Sequence, residues 1–139
     1  MHLTRDLIQF ESINNDAQDF HSGASVIFFG MVRDHSDGKN VSYLEYEAYE
    51  SMAEKTIQNL IRQAHEEWPL DHIKLLHRIG RVNLGEIAVL IDVRATHRDE
   101  VYQASRFLIE KIKHAVPIWK KEYFLDGTSE WSLCHHVNL

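Results

Sequence analysis

Apolar residues along this chain change period several times, and each change marks an element. In GASVIFFGMVR, residues 23 to 33, β-branched and aromatic residues run almost unbroken, which predicts a buried strand. DHSDGKN follows as a loop, with Asp37-Gly38 supplying the turn. It leads into VSYLEYEAY, 41 to 49, a second strand that can pair back on the first. Over residues 50 to 68 the period becomes helical: Ala53, Ile57, Leu60, Ile61, Ala64 and Trp68 share a stripe, and Pro69 stops it. DHIKLLHRIG alternates Ile73, Leu75 and Ile79 on one side, although His77 shares that side. GEIAVLIDVRA repeats the alternation with Ile87, Val89, Ile91 and Val93, and the short RVNLG between the two predicts a hairpin. Residues 97 to 115 return to helix, with Val101, Ser105, Leu108 and Ile112 inward and Ala104 beside them. Pro117 opens a last strand, PIWKKEYFL, after which DGTSEW turns the chain into a short tail.

From residue 41 the order is strand, helix, strand, strand, helix, strand. That is the split-βαβ order of a two-layer, ferredoxin-like α/β (α+β) sandwich, here preceded by an additional strand. No repeat, low-complexity block or linker divides the chain. One domain over residues 1–139 is expected, with 1–20 a polar N-terminal segment and 132–139 a short tail.

Composition narrows the function classes. The chain's 139 residues are 44% hydrophobic and 26% charged, an ordinary globular mixture large enough for a real core. A net charge of -6 argues against a broad nucleic-acid or anionic-membrane surface but leaves room for a small basic pocket. One cysteine, Cys134, excludes an internal disulfide framework and fits a reducing compartment. Charges and amides come too early for a signal peptide, and no apolar run reaches spanning length, so a cytoplasmic protein is expected.

Against that acidic balance, three segments gather cations. KHAVPIWKKE, 113 to 122, sets Lys113 at the end of the second helix, where positive charge is favourable, and Lys120 and Lys121 on the strand after Pro117. Strand alternation points those two lysines to opposite faces, so only one joins Lys113; the competing reading is edge-strand lysines that block aggregation. RATHRDE, 94 to 100, offers Thr96 as a helix cap with Asp99 three positions on, close to a capping box. Arg98 in that first turn is unfavourable by up to about 1 kcal/mol unless an anion neutralises it. With His97 and the free amides it makes a receptor for phosphate or carboxylate. A surface ion pair with Asp99 or Glu100 is the alternative. FFGMVRDH, 28 to 35, places Gly30 in an apolar strand, a mark of a bulge or close backbone approach, and Arg33 where the loop begins.

Other chemistry is weaker. The histidines are scattered without an HExxH motif, Cys134-His135-His136 lacks tetrahedral metal spacing, and neither a P-loop nor a dinucleotide fingerprint occurs. No metal and no cofactor are expected.

Taken together, FFGMVRDH, HRIG at 77 to 80, THR at 96 to 98, KHAVPIWKKE and Trp131 resemble the family of large, catalytic subunits of molybdopterin synthase, over roughly residues 20 to 131. The resemblance implies an α/β hammerhead, a ferredoxin-like core plus an additional β subdomain. It implies a sulfurtransferase that converts cyclic pyranopterin monophosphate to the dithiolene of molybdopterin. Sulfur would come from the Gly-Gly thiocarboxylate of a small ubiquitin-like partner, with two large subunits at the centre of a heterotetramer. By position, Arg33, His97 and Arg98 match the family's anion-binding residues, with Met31 and Val32 bordering them. Lys113 and Lys120 match its essential lysines, and Lys121 and Glu122 its substrate-contacting pair. The family's site also borrows a residue from the neighbouring protomer, for which the DHSDGK loop and Arg33 are candidates. The tail SLCHHVNL lacks the charged extension associated with the family. Three other classes are a single-stranded RNA module stacking bases on Phe28, Tyr43 or Tyr46, a non-catalytic partner of a ubiquitin-like protein, and a small phosphate-ester hydrolase.

Overall fold

The computed structural model describes residues 1–13 and 21–133. Two sheets share the chain. The first has the order β1 (Leu3–Thr4), β5 (Leu70–Arg78), β7 (Ile87–Ala95), β2 (Ala24–Met31), with β1 parallel to β5 and the other pairs antiparallel. The second runs β3 (His35–Ser36), β4 (Lys39–Ala48), β8 (Ile118–Phe124), β9 (Ser129–Leu133), and β6 (Gly80–Asn83) also pairs with β4. Helices α1 (Glu50–Glu67) and α2 (Arg98–Ala115) pack on the first sheet.

Helical spacing explains that layer. Ala53, Ile57, Leu60 and Ala64 of α1 and Val101, Ala104, Leu108 and Ile112 of α2 are buried against Leu75, Val89, Ile91 and Val93. Each buried Leu, Ile or Val contributes about 1.5–3 kcal/mol, so this face dominates stability. Trp68 ends α1 by packing edge-on against Phe107 of α2, ring centroids 5.5 Å apart. Its Nε1 donates to Gln103, whose amide donates to Asp99. Gln103 therefore links the end of α1 to α2, and Asp99 orients its amide. The expected capping box at Thr96 is absent: His97 occupies the N-cap position and makes no side-chain capping bond.

The first sheet is covered on its other face too. Ile8 and Ile13 are buried against Leu90, with Phe29, Leu76 and Ile87 beside them. Glu54 accepts the backbone N–H groups of His2 and Leu3, which ties the N-terminus to α1. The N-terminal segment is thus not simply polar; its few apolar residues cover sheet. β7 is buried on both faces, and Asp92 is tolerated there because Arg94 pairs with it at 3.1 Å and the Ser25 hydroxyl donates to it.

Three expected connections turn out differently. β2 does not pair with β4; it runs beside β7, from Ala24 opposite Ala95 to Met31 opposite Ile87. The Asp37-Gly38 turn closes only a hairpin between β3 and the first residues of β4. Ahead of α1 the helix-covered sheet therefore takes β2 and the short β1, and β4 pairs with β8 in the second sheet. β5 and β7 do pair as the expected hairpin, but RVNLG is more than a turn: Gly80, at φ 87, lets the chain leave β5 so that β6 lines up on Tyr43–Tyr46 of β4. Residues after the DGT turn form β9 along β8, so Ser132 and Leu133 belong to a strand. Cys134, His135 and His136 lie outside the described residues.

Candidate active site

Where the sheets meet beside the C-terminal end of α2, a cavity of about 340 Å³ opens. Four elements bring charge to it. Lys113 comes from the last turn of α2, where the helix dipole favours a cation. Lys120 and Glu122 come from β8, Arg33 from the chain just after β2, and His35 from β3. Three basic side chains face one carboxylate, so an otherwise acidic chain has a locally positive cleft.

β8 decides which lysine participates. Ile118, Glu122 and Phe124 are buried on the inward face, and Lys120 shares it. Lys121 points the other way, its ammonium 5.1 Å from the Tyr123 ring centroid and 5.5 Å from that of Trp131. The expectation of one lysine with Lys113 holds, and it is Lys120. Lys121, matched to a substrate contact by resemblance, does not line this cavity.

Gly30 shapes the opposite wall. A Cβ built there would lie 2.5 Å from Cγ1 of Val89, and the β2–β7 register slips between Gly30 and Met31. Both the close approach and the bulge expected of this glycine are present. The bulge delivers Met31, 58% exposed, and Arg33 to the cavity. Val32 between them points inward instead: its side chain is buried with Val41, Leu44, Val82 and Ala88, and its backbone bonds Glu86 and Gly85. Val32 supports the wall without lining it.

His97 and Arg98 are not brought to this cavity by their own chain. They sit at the start of α2, and Lys113 is 15 residues further along the same helix. At the α-helical rise that is about 22 Å. Arg33 and His35, by contrast, line the cavity of the chain that carries them.

The sequence named His77 only within HRIG, with no role, and Tyr46 only as an RNA-stacking candidate, yet both line the cavity. The available signal was a histidine on the apolar side of its strand. His77 is buried and its Nδ1 donates to the carbonyl of Arg78 at 2.7 Å. Burial pulls its pKa down to about 4, partly offset by that bond, so the ring is neutral. The neighbouring HRIG residue Arg78 is also buried, donating to the Arg81 carbonyl at 2.8 Å and lying 3.6 Å from Glu86.

An RNA-stacking platform does not form. Phe28 packs on the helical core, Tyr46 meets His77 edge-on, and Tyr43 stacks on Tyr123 beneath Arg81. Among the described residues no cluster of His, Cys, Asp and Glu has metal-binding geometry, and no helix is long and apolar enough to cross a membrane.

Comparison with known proteins places the fold in context. The family described as MoaE protein matches residues 3–115. A molybdopterin synthase catalytic subunit from Halalkalibacterium halodurans is 48% identical over 107 residues, 77% of this chain and 69% of the relative. The solved molybdopterin synthase from Staphylococcus aureus superposes with a TM-score of 0.87 at 40% identity, covering 94% of this chain and 95% of that one. A complex of subunits 1 and 2 of molybdopterin-converting factor from Helicobacter pylori 26695 shares the fold, with TM-score 0.68 and 24% identity over 81% of this chain and 73% of that one. By sequence and by structure, the chain belongs to the MoaE family of molybdopterin synthase catalytic subunits.

Proposed function

We propose that the cavity is the site at which sulfur passes from the thiocarboxylated Gly-Gly tail of a small ubiquitin-like partner to cyclic pyranopterin monophosphate. The observation that carries this reading is the convergence of Lys113, Lys120 and Arg33, from three separate elements, on one cleft that leaves Lys121 outside. Both reactants are anionic, and a positive, partly enclosed cleft attracts and orients them together. In each of two rounds the thiocarboxylate sulfur bonds to a pterin side-ring carbon in place of that carbon's oxygen, which leaves as water in one round and with the phosphate in the other. Water then cleaves the acyl–sulfur bond, returning the partner's carboxylate and leaving sulfur on the pterin. The cyclic phosphate opens to a monoester along the way.

Within that sequence Arg33 holds the phosphate through its planar fork. Lys113 stabilises charge on the thiocarboxylate acyl group, and Lys120 stabilises the oxyanion formed when water attacks it, then exchanges a proton with the leaving group. Glu122, beside Lys120 on the inward face of β8, orients the ammonium or the attacking water. His97 and Arg98 complete the anion site from a second copy of the chain, since a helix start about 22 Å away along α2 cannot bend back to its own cavity. The working form is then a central homodimer carrying two small partners in the cytoplasm, with one domain per chain.

The test is incubation of the purified protein with cyclic pyranopterin monophosphate, with and without thiocarboxylated partner. Dithiolene product only in the presence of partner is expected. Opening of the cyclic phosphate without a sulfur donor would establish a hydrolase instead.

A further inference from the structure

His77 is more constrained than a core histidine requires. Its backbone N–H donates to the His2 carbonyl at 2.7 Å, and β5 is flanked here by Val89 of β7 and Leu3 of β1. The ring meets Tyr46 edge-on at 5.0 Å. A carbonyl only accepts, so the Nδ1 bond to Arg78 fixes the proton on Nδ1 and leaves a bare lone pair on Nε2. Among the described residues that nitrogen has no hydrogen-bond partner, and it is not sealed from solvent. The one described cavity the residue lines is the one holding Lys113 and Lys120. Beside the donors Arg33, Lys113 and Lys120 and the charged acceptor Glu122, the site thus has a fixed, uncharged acceptor.

We infer that Nε2 of His77 accepts a hydrogen bond from a ring N–H of the heterocyclic substrate, making His77 a specificity residue that reads the pterin rather than its phosphate. This rests on the assignment of the cavity to a pyranopterin. Phosphate carries no N–H and the carrier tail offers only its glycine amides, whereas the fused pterin ring presents several. Arg33, Lys113 and Lys120 have no acceptor with which to recognise them. Desolvation keeps the imidazole neutral well below physiological pH, so the lone pair is available whenever the enzyme works.

The experiment compares wild type, His77→Asn and His77→Gln by calorimetry with cyclic pyranopterin monophosphate and, separately, with inorganic phosphate. Asparagine retains a donor near Nδ1 and loses the acceptor; glutamine can place its amide oxygen near Nε2. His77→Asn should weaken pterin binding about tenfold, the size of one lost hydrogen bond, with phosphate binding unchanged and His77→Gln closer to wild type. In long-range nitrogen NMR of the wild-type protein, the Nε2 resonance should move on addition of the pterin and stay fixed with phosphate. That readout does not depend on a variant that folds. Equal pterin affinity in wild type and a folded His77→Asn, or an unmoved Nε2 resonance with substrate bound, overturns the inference while leaving the assignment of the cavity intact. Failure of the wild type to bind the pterin at all overturns that assignment, and this inference with it.

Discussion

Replacing Lys120 and Lys121 one at a time isolates the effect of direction, because the two share a strand, a charge and nearly the same place in sequence. Lys120 is half-buried, faces the cavity and makes no ion pair among the described residues, so its removal leaves no stranded partner. Lys120→Ala should cost little stability, within about 1 kcal/mol. Its loss from the reaction should be far larger. An oriented cation or donor acting on a developing oxyanion is worth roughly a hundred- to a thousandfold in rate, about 3–4 kcal/mol. Lys121→Ala removes two cation–π contacts, to Tyr123 and Trp131, each worth about 0.5–1 kcal/mol at an exposed site. It should lower the urea midpoint slightly and leave turnover within about twofold, since nothing in the cavity changes. The assay is product formation at saturating thiocarboxylated partner, with circular dichroism and urea titration on each variant. Equal losses of turnover in two folded variants would refute the argument from strand direction. Normal turnover in Lys120→Ala would refute its catalytic role.

Three further outcomes follow. If His97 and Arg98 serve the second copy's cavity, Lys120→Ala and Arg98→Ala homodimers are each nearly inactive, yet subunit exchange between them restores about a quarter of wild-type sites; no recovery after verified exchange would place Arg98 elsewhere. His77 has its folded pKa depressed to about 4 against about 6.5 unfolded, so only the unfolded chain takes up a proton between those values. Stability should therefore be indifferent to this group above pH 6.5 and fall by roughly 3 kcal/mol as pH drops towards 4; urea titrations in which His77→Asn keeps the full slope would contradict it. Gly30→Ala forces a methyl to 2.5 Å from Val89 Cγ1 at the bulge. It should destabilise by about 1–3 kcal/mol and lower turnover, and an unchanged melting temperature would show that the wall yields freely.

Both helices were legible because a single apolar stripe at a period near 3.6 matches one face of a helix and no face of a strand, and the residues read as inward on α2 are the buried ones. Strand pairing was not. Period-2 alternation says that a segment is a strand but not which neighbour it takes, and GASVIFFGMVR was apolar enough to accept either VSYLEYEAY or IAVLIDVRA. The split of Lys120 from Lys121 followed from alternation, whereas which face was the cavity depended on β4, more than 70 residues away in sequence. Gly30 announced itself because glycine inside an apolar strand is costly without a reason. The resemblance put His97 and Arg98 in one substrate site with Lys113, and sequence shows cations at both ends of a helix without showing which chain's cavity each end reaches. His77 was noticed as a polar residue on an apolar face and as the first residue of HRIG, with no role attached. Its bare nitrogen became visible once the Arg78 carbonyl and the cavity were both placed.

The central claim is that this cavity moves sulfur from carrier to pterin, and a single-turnover reaction with isotopically labelled thiocarboxylate tests it most directly. The partner carries heavy sulfur on its terminal glycine, and mass spectrometry follows both the pterin and the carrier. Two heavy sulfurs should appear in each dithiolene, two carrier molecules should return as carboxylates, and both signals should be lost together in Lys120→Ala. Unlabelled sulfur in the product, or carrier hydrolysed with no label on the pterin, would contradict the account.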